Sequence, residues 1–503
     1  MKKITIKITT LFLFTLLLGS CKKWVDYNPR EDFRITELDY LQSETDYRTM
    51  AISVYTPLQW INQVVPIGDI ASDNAVSGGE NASDVLSLQQ IDDYTHTPVN
   101  SALTEIWQSA YEGVNRANYM TQYKAANLAG KAIDFAGKEA LYGEVYFIRA
   151  YYYFTLVKMF GDVPLFVDKR LSLTESKSLQ RSAKGEVYKQ IEADLNAAIA
   201  VLPAVQQQKG RITKYAAQAL LGKVFLYQNK FDAAATVLES VINANAFTLP
   251  SNFAGTFLAA GENGPESIFE IQYSNTSPYY NWAGYNRGQG NYSAQQCGIR
   301  GLNGTAAMPY AAGWSTNLPT QNLAAAYEAG DQRKAVTVLD IEAYKTANPS
   351  FNITYQVAPY KNTGLYNQKY LPRKGETSGQ LELNYTNNFR IIRFAEVLLL
   401  AAEAYNRSTT PNDTKAKDYL NRVRQRAFGD MLHNSSASGV ALKQAIWDER
   451  RLELGMEGDR FFDLVRTGQA ATKITGFVTG KHEVFPIPQL EVSISGLTQN
   501  NGY

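Results

Sequence analysis

Apolar residues recur at three- and four-residue intervals through three blocks of this chain, the period of one face of an α-helix. In the first block, Leu103 to Phe160, two long helical patterns are separated near Leu128 to Asp134. The second carries the stripe Leu141, Val145, Ile148, Tyr152, Leu156 and Phe160. Gly185 to Leu202 and Lys214 to Ala244 form a second pair of patterns, and Ala395 to Arg407 with Thr414 to Phe428 a third. Asp32 to Trp60 is also helical in pattern, whereas Asp69 to Asp84 is polar and turn-rich. Between the second and third pairs the period is lost. From Pro278 to Trp314, seven glycines alternate with seven aromatics (Tyr279, Tyr280, Trp282, Tyr285, Tyr292, Tyr310, Trp314).

Helix pairs of this kind cannot bury their apolar faces alone and must stack, with at least three needed for a stable core. Leu221, Gly222, Phe225, Phe231, Asp232, Ala233 and Ala234 fit the tetratricopeptide register, in which a glycine lets two helices approach and an aromatic begins the next. The expected fold is mainly α, a tetratricopeptide-like helical-repeat scaffold built from both halves of the chain. Repeats are placed at about 101–245 and 390–468, an irregular insertion at about 250–385 and an extended tail at 482–503. Pro486 and Pro488 argue against a helix in that tail.

Charge changes the picture at one place. Trp447 to Gly468 reads WDERRLELGMEGDRFFDLVRTG, with six acids and four bases, all of them arginine, between Asp448 and Arg466. Arginine without lysine indicates paired or buried charge, because the planar guanidinium grips a carboxylate with two parallel hydrogen bonds. The predicted local structure is helix, glycine turn, helix. Gly455 and Gly458 break the first helix, Asp459 caps the second, and Gly468 ends it. Two functions fit. Glu449 and Glu453, roughly 6 Å apart on one face, have the spacing of a glycosidase carboxylate pair. Arg450, Arg451, Glu453, Glu457, Arg460 and Asp463 otherwise form a structural ion-pair lattice. The lattice reading is preferred, because four arginines keep every carboxylate ionised and a general acid needs the opposite.

This segment resembles the C-terminal signature of the SusD/RagB family, surface lipoproteins of Bacteroidetes nutrient uptake. Arg149 followed by Ala-Tyr-Tyr-Tyr-Phe and Met-Phe-Gly-Asp-Val-Pro-Leu resembles the end of that family's first helical repeat. Phe485-Pro-Ile-Pro through Gly502-Tyr503 is similar to the way such chains finish. The start is basic (Lys2, Lys3, Lys7), then apolar from Leu11 to Leu18, then Leu-Gly-Ser-Cys, the pattern of a secretory signal peptide ending in a sequence that resembles a bacterial lipobox. Residues 1–20 are therefore read as a signal peptide and 21–503 as one SusD-like domain, with Cys21 lipidated and holding the protein on a membrane it does not cross. Lys22 and Lys23 stand where some surface lipoproteins carry an acidic export signal, which leaves the leaflet open. The resemblance implies a non-catalytic protein that binds oligosaccharide or polysaccharide and delivers it to a SusC-like TonB-dependent outer-membrane transporter. A peptide or other nutrient ligand is the alternative.

Composition narrows the chemistry further. Lysine and arginine number 49 against 48 acids, so no basic field marks a nucleic-acid partner. Three dispersed histidines and two cysteines argue against a metal site. No motif for a nucleophile elbow, nucleotide, zinc or dinucleotide cofactor is present, so no cofactor is expected. The aromatic insertion remains as the source of ligand contacts, since a long irregular segment in a compact protein is usually functional. Trp282, Tyr285 and Trp314 offer faces for stacking on sugar rings, with Asn286 and Arg287 bonding hydroxyls. Asp73 and Asn74, in the polar loop, are further candidates for ligand contact, although solvated turns share that pattern.

Overall fold

The computed structural model describes residues 37–282 and 287–503. The described residues divide into two compact units, one of the residues up to 49 with 123–135, the other of residues 50–122 with 136–503. In the smaller unit, Tyr47 donates to the Tyr123 carbonyl at 2.9 Å and its ring lies 5.9 Å from that of Phe135. Helix α1 (Glu44–Tyr55) carries the chain from this unit into the larger one, and a 3-10 turn, Thr56–Trp60, follows it.

The larger unit is a stack of helices with the apolar stripes turned inward. After the short α2 (Val64–Ile70) come α3 (Ser101–Gln122), α4 (Lys138–Phe160), α5 (Lys184–Val201), α6 (Lys214–Tyr227) and α7 (Phe231–Asn243), each of these five packed on the next. Close approach depends on small residues at the crossings. A Cβ on Gly113 of α3 would lie 2.1 Å from the Tyr152 ring of α4, and one on Gly222 of α6 would lie 2.4 Å from Leu238 of α7. The tyrosine run of α4 is core: Tyr151, Tyr152 and Tyr153 are buried, and the Tyr152 hydroxyl donates to the Val54 carbonyl at 2.8 Å. Arg149, beside that run, holds Asp194 of α5 with two bonds of 2.8 and 2.7 Å.

The two halves of the scaffold meet across the insertion. Helix α7 packs on α8 (Phe394–Arg407), which in turn packs on α9 (Asp413–Phe428) and α10 (Gly439–Glu453). Strand β1 (Ser267–Ile271) pairs antiparallel with β2 (Phe389–Arg393), so the insertion leaves and rejoins the scaffold at one place. Within it, irregular chain is tied by the short antiparallel pairs Ala75–Val76 with Leu318–Pro319 and Val338–Asp340 with Leu365–Asn367. A small apolar core of its own includes Ile299, Leu318, Leu339, Tyr366 and Leu371. The fold is thus mainly α and tetratricopeptide-like.

Two local expectations are corrected. The tail is not extended throughout, because Gln489–Ser495 forms a helix, α12, after α11 (Arg460–Arg466). Pro488 occupies the cap position at φ −55°, where proline has no hydrogen bond to break and its ring favours the helical turn. The rest of the tail lies along the scaffold, with Phe485 N–H donating to the Met159 carbonyl at 2.7 Å and Asn500 to the Phe160 carbonyl at 2.9 Å. Asp459 precedes α11 but makes no capping bond, since its carboxylate accepts from Lys223 Nζ at 2.9 and 3.1 Å. Among the described residues no helix is long and apolar enough to cross a membrane. Cys21 lies outside the described residues.

Candidate functional site

The glycines of the insertion permit backbones to touch. A Cβ on Gly313 would stand 2.3 Å from the Cα of Gly298, and one on Gly290 would stand 2.3 Å from the Cα of Asn384. The Gly298–Gly313 crossing helps fix the next residue, Trp314, whose N–H donates to the Gln295 carbonyl at 2.8 Å. Its half-buried indole faces Trp282, the centroids 5.7 Å apart and the planes inclined at 41°. Trp282 is 61% exposed, an arrangement that costs apolar hydration unless a ligand covers it. Two indoles inclined in this way present a bent apolar platform with polar N–H edges, suited to the faces of successive sugar rings.

The other aromatics of the segment behave differently. Tyr292 is buried, donates to the Glu105 carboxylate and accepts from Gln63 Nε2 at 3.0 Å. Tyr280 is half-buried and donates to the Gln59 carbonyl at 3.2 Å, and Tyr310 sits in the apolar core of the insertion. Tyr279 remains 37% exposed. Tyr285 and Asn286 lie outside the described residues. The Arg287 guanidinium stands 4.7 Å over the Trp60 ring, and Arg116 stands 5.0 Å from the same ring. Trp60 is therefore covered by cations and is not a free platform.

The Asp73 carboxylate and the Asn74 amide oxygen are committed within the protein. Asp73 accepts from Arg460 at 2.7 and 3.0 Å and pairs with Arg451 at 3.2 Å, while Asn74 accepts from Arg451 Nε at 2.8 Å. Burial, the largest influence, raises the Asp73 pKa, and the two arginines outweigh it, so the carboxyl titrates below the usual range. Asp73 does border a cleft of about 710 Å³ with Asp92, Asp93, Asn322 and Lys361. There too the charges are internally paired, with Lys361 on Asp92 at 2.7 Å and on Asp93 at 2.6 Å. The expectation that Asp73 and Asn74 meet a ligand gives way to a tie between the polar loop and the arginine-rich segment.

That segment is a buried lattice whose partners come largely from elsewhere. Arg450 and Arg466 both hold Asp463, and Arg466 also forks onto Glu403 of α8 at 2.8 Å for each bond. Glu457 receives Arg393 and Lys369, each at 2.7 Å, and Glu453 receives Arg333 at 3.1 Å, Arg393 at 2.9 Å and Arg426. Glu449 lies on the same Arg333 nitrogen at 2.6 Å. Burial acts most strongly on Glu453 and raises its pKa, but Arg426, Arg393, Arg333 and Lys369 together reverse this and hold the carboxyl well below its ordinary range. Glu453, with a side-chain exposure of 0%, has no open approach for a glycosidic bond, and Glu449, 1% exposed at the edge of a cleft, is held by Arg333 and Arg424. Sequence reasoning missed Arg333, Arg393, Arg426 and Lys369. They stand outside the segment and leave no local pattern; Glu396 and Glu403, buried in the otherwise apolar run of α8, signalled only their own cations, Lys223 and Arg450 for the first, Arg407 and Arg466 for the second.

A helical-repeat scaffold that carries an open aromatic platform on an irregular insertion is the architecture of a binding protein. Residues 341–484 match the SusD family, and residues 23–226 match the family described as starch-binding associating with outer membrane. A solved laminarin-binding SusD-like protein is 34% identical, covers 92% of this chain and 100% of its own, and superposes with a TM-score of 0.81. Surface glycan-binding protein A from Bacteroides thetaiotaomicron, solved in complex with laminarihexaose, is 26% identical over 92% of this chain and 100% of its own, with a TM-score of 0.79. SusD-like protein P2 of Formosa agariphila is 29% identical, covering 97% of this chain and 94% of that protein. The chain belongs to the SusD family.

Proposed function

We propose that this protein is an outer-membrane surface lipoprotein that binds a laminarin-type glucan on the Trp282–Trp314 platform and passes it, uncleaved, to a SusC-like TonB-dependent transporter. The observation that carries the reading is the inclined indole pair, one ring 61% exposed, on an insertion held against a rigid scaffold. Glycan binding by the solved relatives supports it, and laminarin in the name of one and laminarihexaose bound to another favour that glucan over peptide. Tyr285, Asn286 and Arg287, which follow Trp282 closely in the chain, are kept as proposed ligand contacts. The lipobox-like Leu-Gly-Ser-Cys supports anchoring at Cys21, and a solved relative named as a surface glycan-binding protein favours the cell exterior. The arginine-paired Glu449 and Glu453, the latter held well below the ordinary carboxyl range, support binding without hydrolysis.

Calorimetric titration with laminarihexaose tests the site. Truncating a central aromatic anchor costs about 1.5–2 kcal/mol, so Trp282→Ala and Trp314→Ala should each raise Kd about ten- to thirtyfold. Melting of Trp282→Ala should match the parent, because its exposed ring contributes little to the core. Parental affinity in both variants would remove these residues from the site, and binding of peptides but not glucans would replace the ligand class. Anchoring is tested separately: Cys21→Ala should move the protein from the membrane to the soluble fraction on cell fractionation. Retention in the membrane would reject lipidation at that residue.

A further inference from the structure

Arg300 joins two parts of the chain that the site brings together. Its Nε and Nη2 donate to the Trp314 carbonyl at 3.3 and 3.0 Å. Nη2 also pairs with Asp84, and Nη1 lies 3.7 Å from Glu80. The Asp84 carboxylate in turn accepts from the Glu80 N–H at 2.8 Å, closing the turn in which both stand. Gln89 braces that turn from behind, donating to the Gly78 and Asn81 carbonyls at 2.9 and 2.8 Å. On the other side, the Arg300 N–H donates to Ser315 Oγ at 3.0 Å. Ser315, the residue after Trp314, has φ +56°, a left-handed conformation that persists in a non-glycine residue only where neighbouring bonds hold it.

We propose that Arg300 is a positioning residue of the glycan site, locking the Trp314 backbone to the Glu80–Asp84 loop so that the loop forms a second wall beside the tryptophan pair. This deepens the glucan-binding reading and rests on it. The guanidinium is suited to the task because one planar fork reaches a carboxylate and a carbonyl together, which an ammonium cannot match. The chemistry of the wall fits a neutral glycan. Glu80, with a side chain 64% exposed, would repel an acidic polysaccharide while accepting hydroxyl donors, whereas the Asp84 carboxylate is taken up by Arg300 and the Glu80 N–H.

The test combines laminarihexaose calorimetry with near-ultraviolet circular dichroism of the ligand-free protein, which reports the packing of Trp282 against Trp314. Arg300→Ala should raise Kd about tenfold and shift the near-ultraviolet spectrum toward that of Trp314→Phe, with far-ultraviolet signal and melting close to parental. Asp84→Asn, which keeps the side-chain volume, should produce a smaller change in the same direction. Because both residues act through one latch, the Arg300→Ala/Asp84→Asn double variant should bind no more weakly than Arg300→Ala alone. Parental Kd in Arg300→Ala, or additive losses in the double variant, would overturn the latch. If the parent itself binds no glucan, the functional reading fails first, and the ligand-free spectrum still decides the lock: an unchanged spectrum in Arg300→Ala rejects it.

Discussion

Glu453→Gln is expected to lower the unfolding free energy by about 3–5 kcal/mol, the usual consequence of removing one member of a buried charge network. The side chain is fully buried and stands among Arg333, Arg393 and Arg426, and its backbone carbonyl accepts from Lys369 Nζ at 2.9 Å. A neutral amide leaves those three guanidiniums facing one another in a medium that screens them poorly. The sign of the pH dependence follows. A carboxyl whose folded pKa is depressed contributes stability that is complete above its unfolded pKa, about 4.3, and disappears as pH falls toward the folded value. Urea unfolding followed by circular dichroism provides the measurement, with Glu186→Gln as the control, since that side chain is 58% exposed and its pair with Lys189 should be nearly neutral to lose. Equal stability of the two variants would sink the structural reading of the lattice. Parental stability with lost glucan binding would move Glu453 into the ligand site.

The helices were legible because their signal is local and repeated. Leu141 to Phe160 recurs at the helical period over several turns, and α4 spans Lys138–Phe160 accordingly. The lattice was legible only by half. Arginine without lysine announced pairing, but ion pairs between residues 60 or 120 positions apart, such as Glu453 with Arg393 and Arg333, leave no period to read. Asp459 shows the same limit, because a lysine from α6 claims the carboxylate that local rules assign to a cap. At the candidate site, composition pointed to the aromatic insertion but not to which rings are free. Tyr280, Tyr292 and Tyr310 resemble Trp282 and Trp314 in sequence, and their exposure is decided by glycine crossings such as Gly298 with Gly313 that only the folded chain brings together. The tail helix was missed for a local reason, since a proline that ends one helix can equally begin another.

Asp69→Asn is expected to stabilise the protein above neutral pH while changing it little near pH 4. Asp69 lies in α2, fully buried, where Oδ1 accepts from the Gly458 N–H at 2.9 Å and Oδ2 from Asn317 Nδ2 at 3.0 Å. The contact it holds is unusually tight, for a Cβ on the preceding Gly68 would fall 1.8 Å from the Gly458 carbonyl oxygen. Burial is the dominant influence on its carboxyl and raises the pKa to about 7, with Asn317, Gly458 and Lys369 opposing and Glu457 adding to the rise. A carboxyl that is harder to ionise in the folded state than in the unfolded chain binds more protons when folded. Stability therefore falls as pH climbs from about 4 to 7 and is level beyond. The displacement from 3.8 to about 7 corresponds to about 4 kcal/mol at full ionisation. Asparagine never ionises and so never incurs that loss. Its oxygen can still accept from Gly458, and its new N–H₂ can donate to Asn317 if that amide turns over, which is feasible because Asn317 Oδ1 makes no hydrogen bond in the native arrangement. Urea titrations of both proteins at pH 5 and pH 8 measure the difference: a gap that widens in favour of the variant at pH 8 supports the account. A variant less stable by the same amount at both values would show instead that Asp69 remains ionised when folded, and that its two bonds rather than its protonation govern the packing of α2 on the turn before α11.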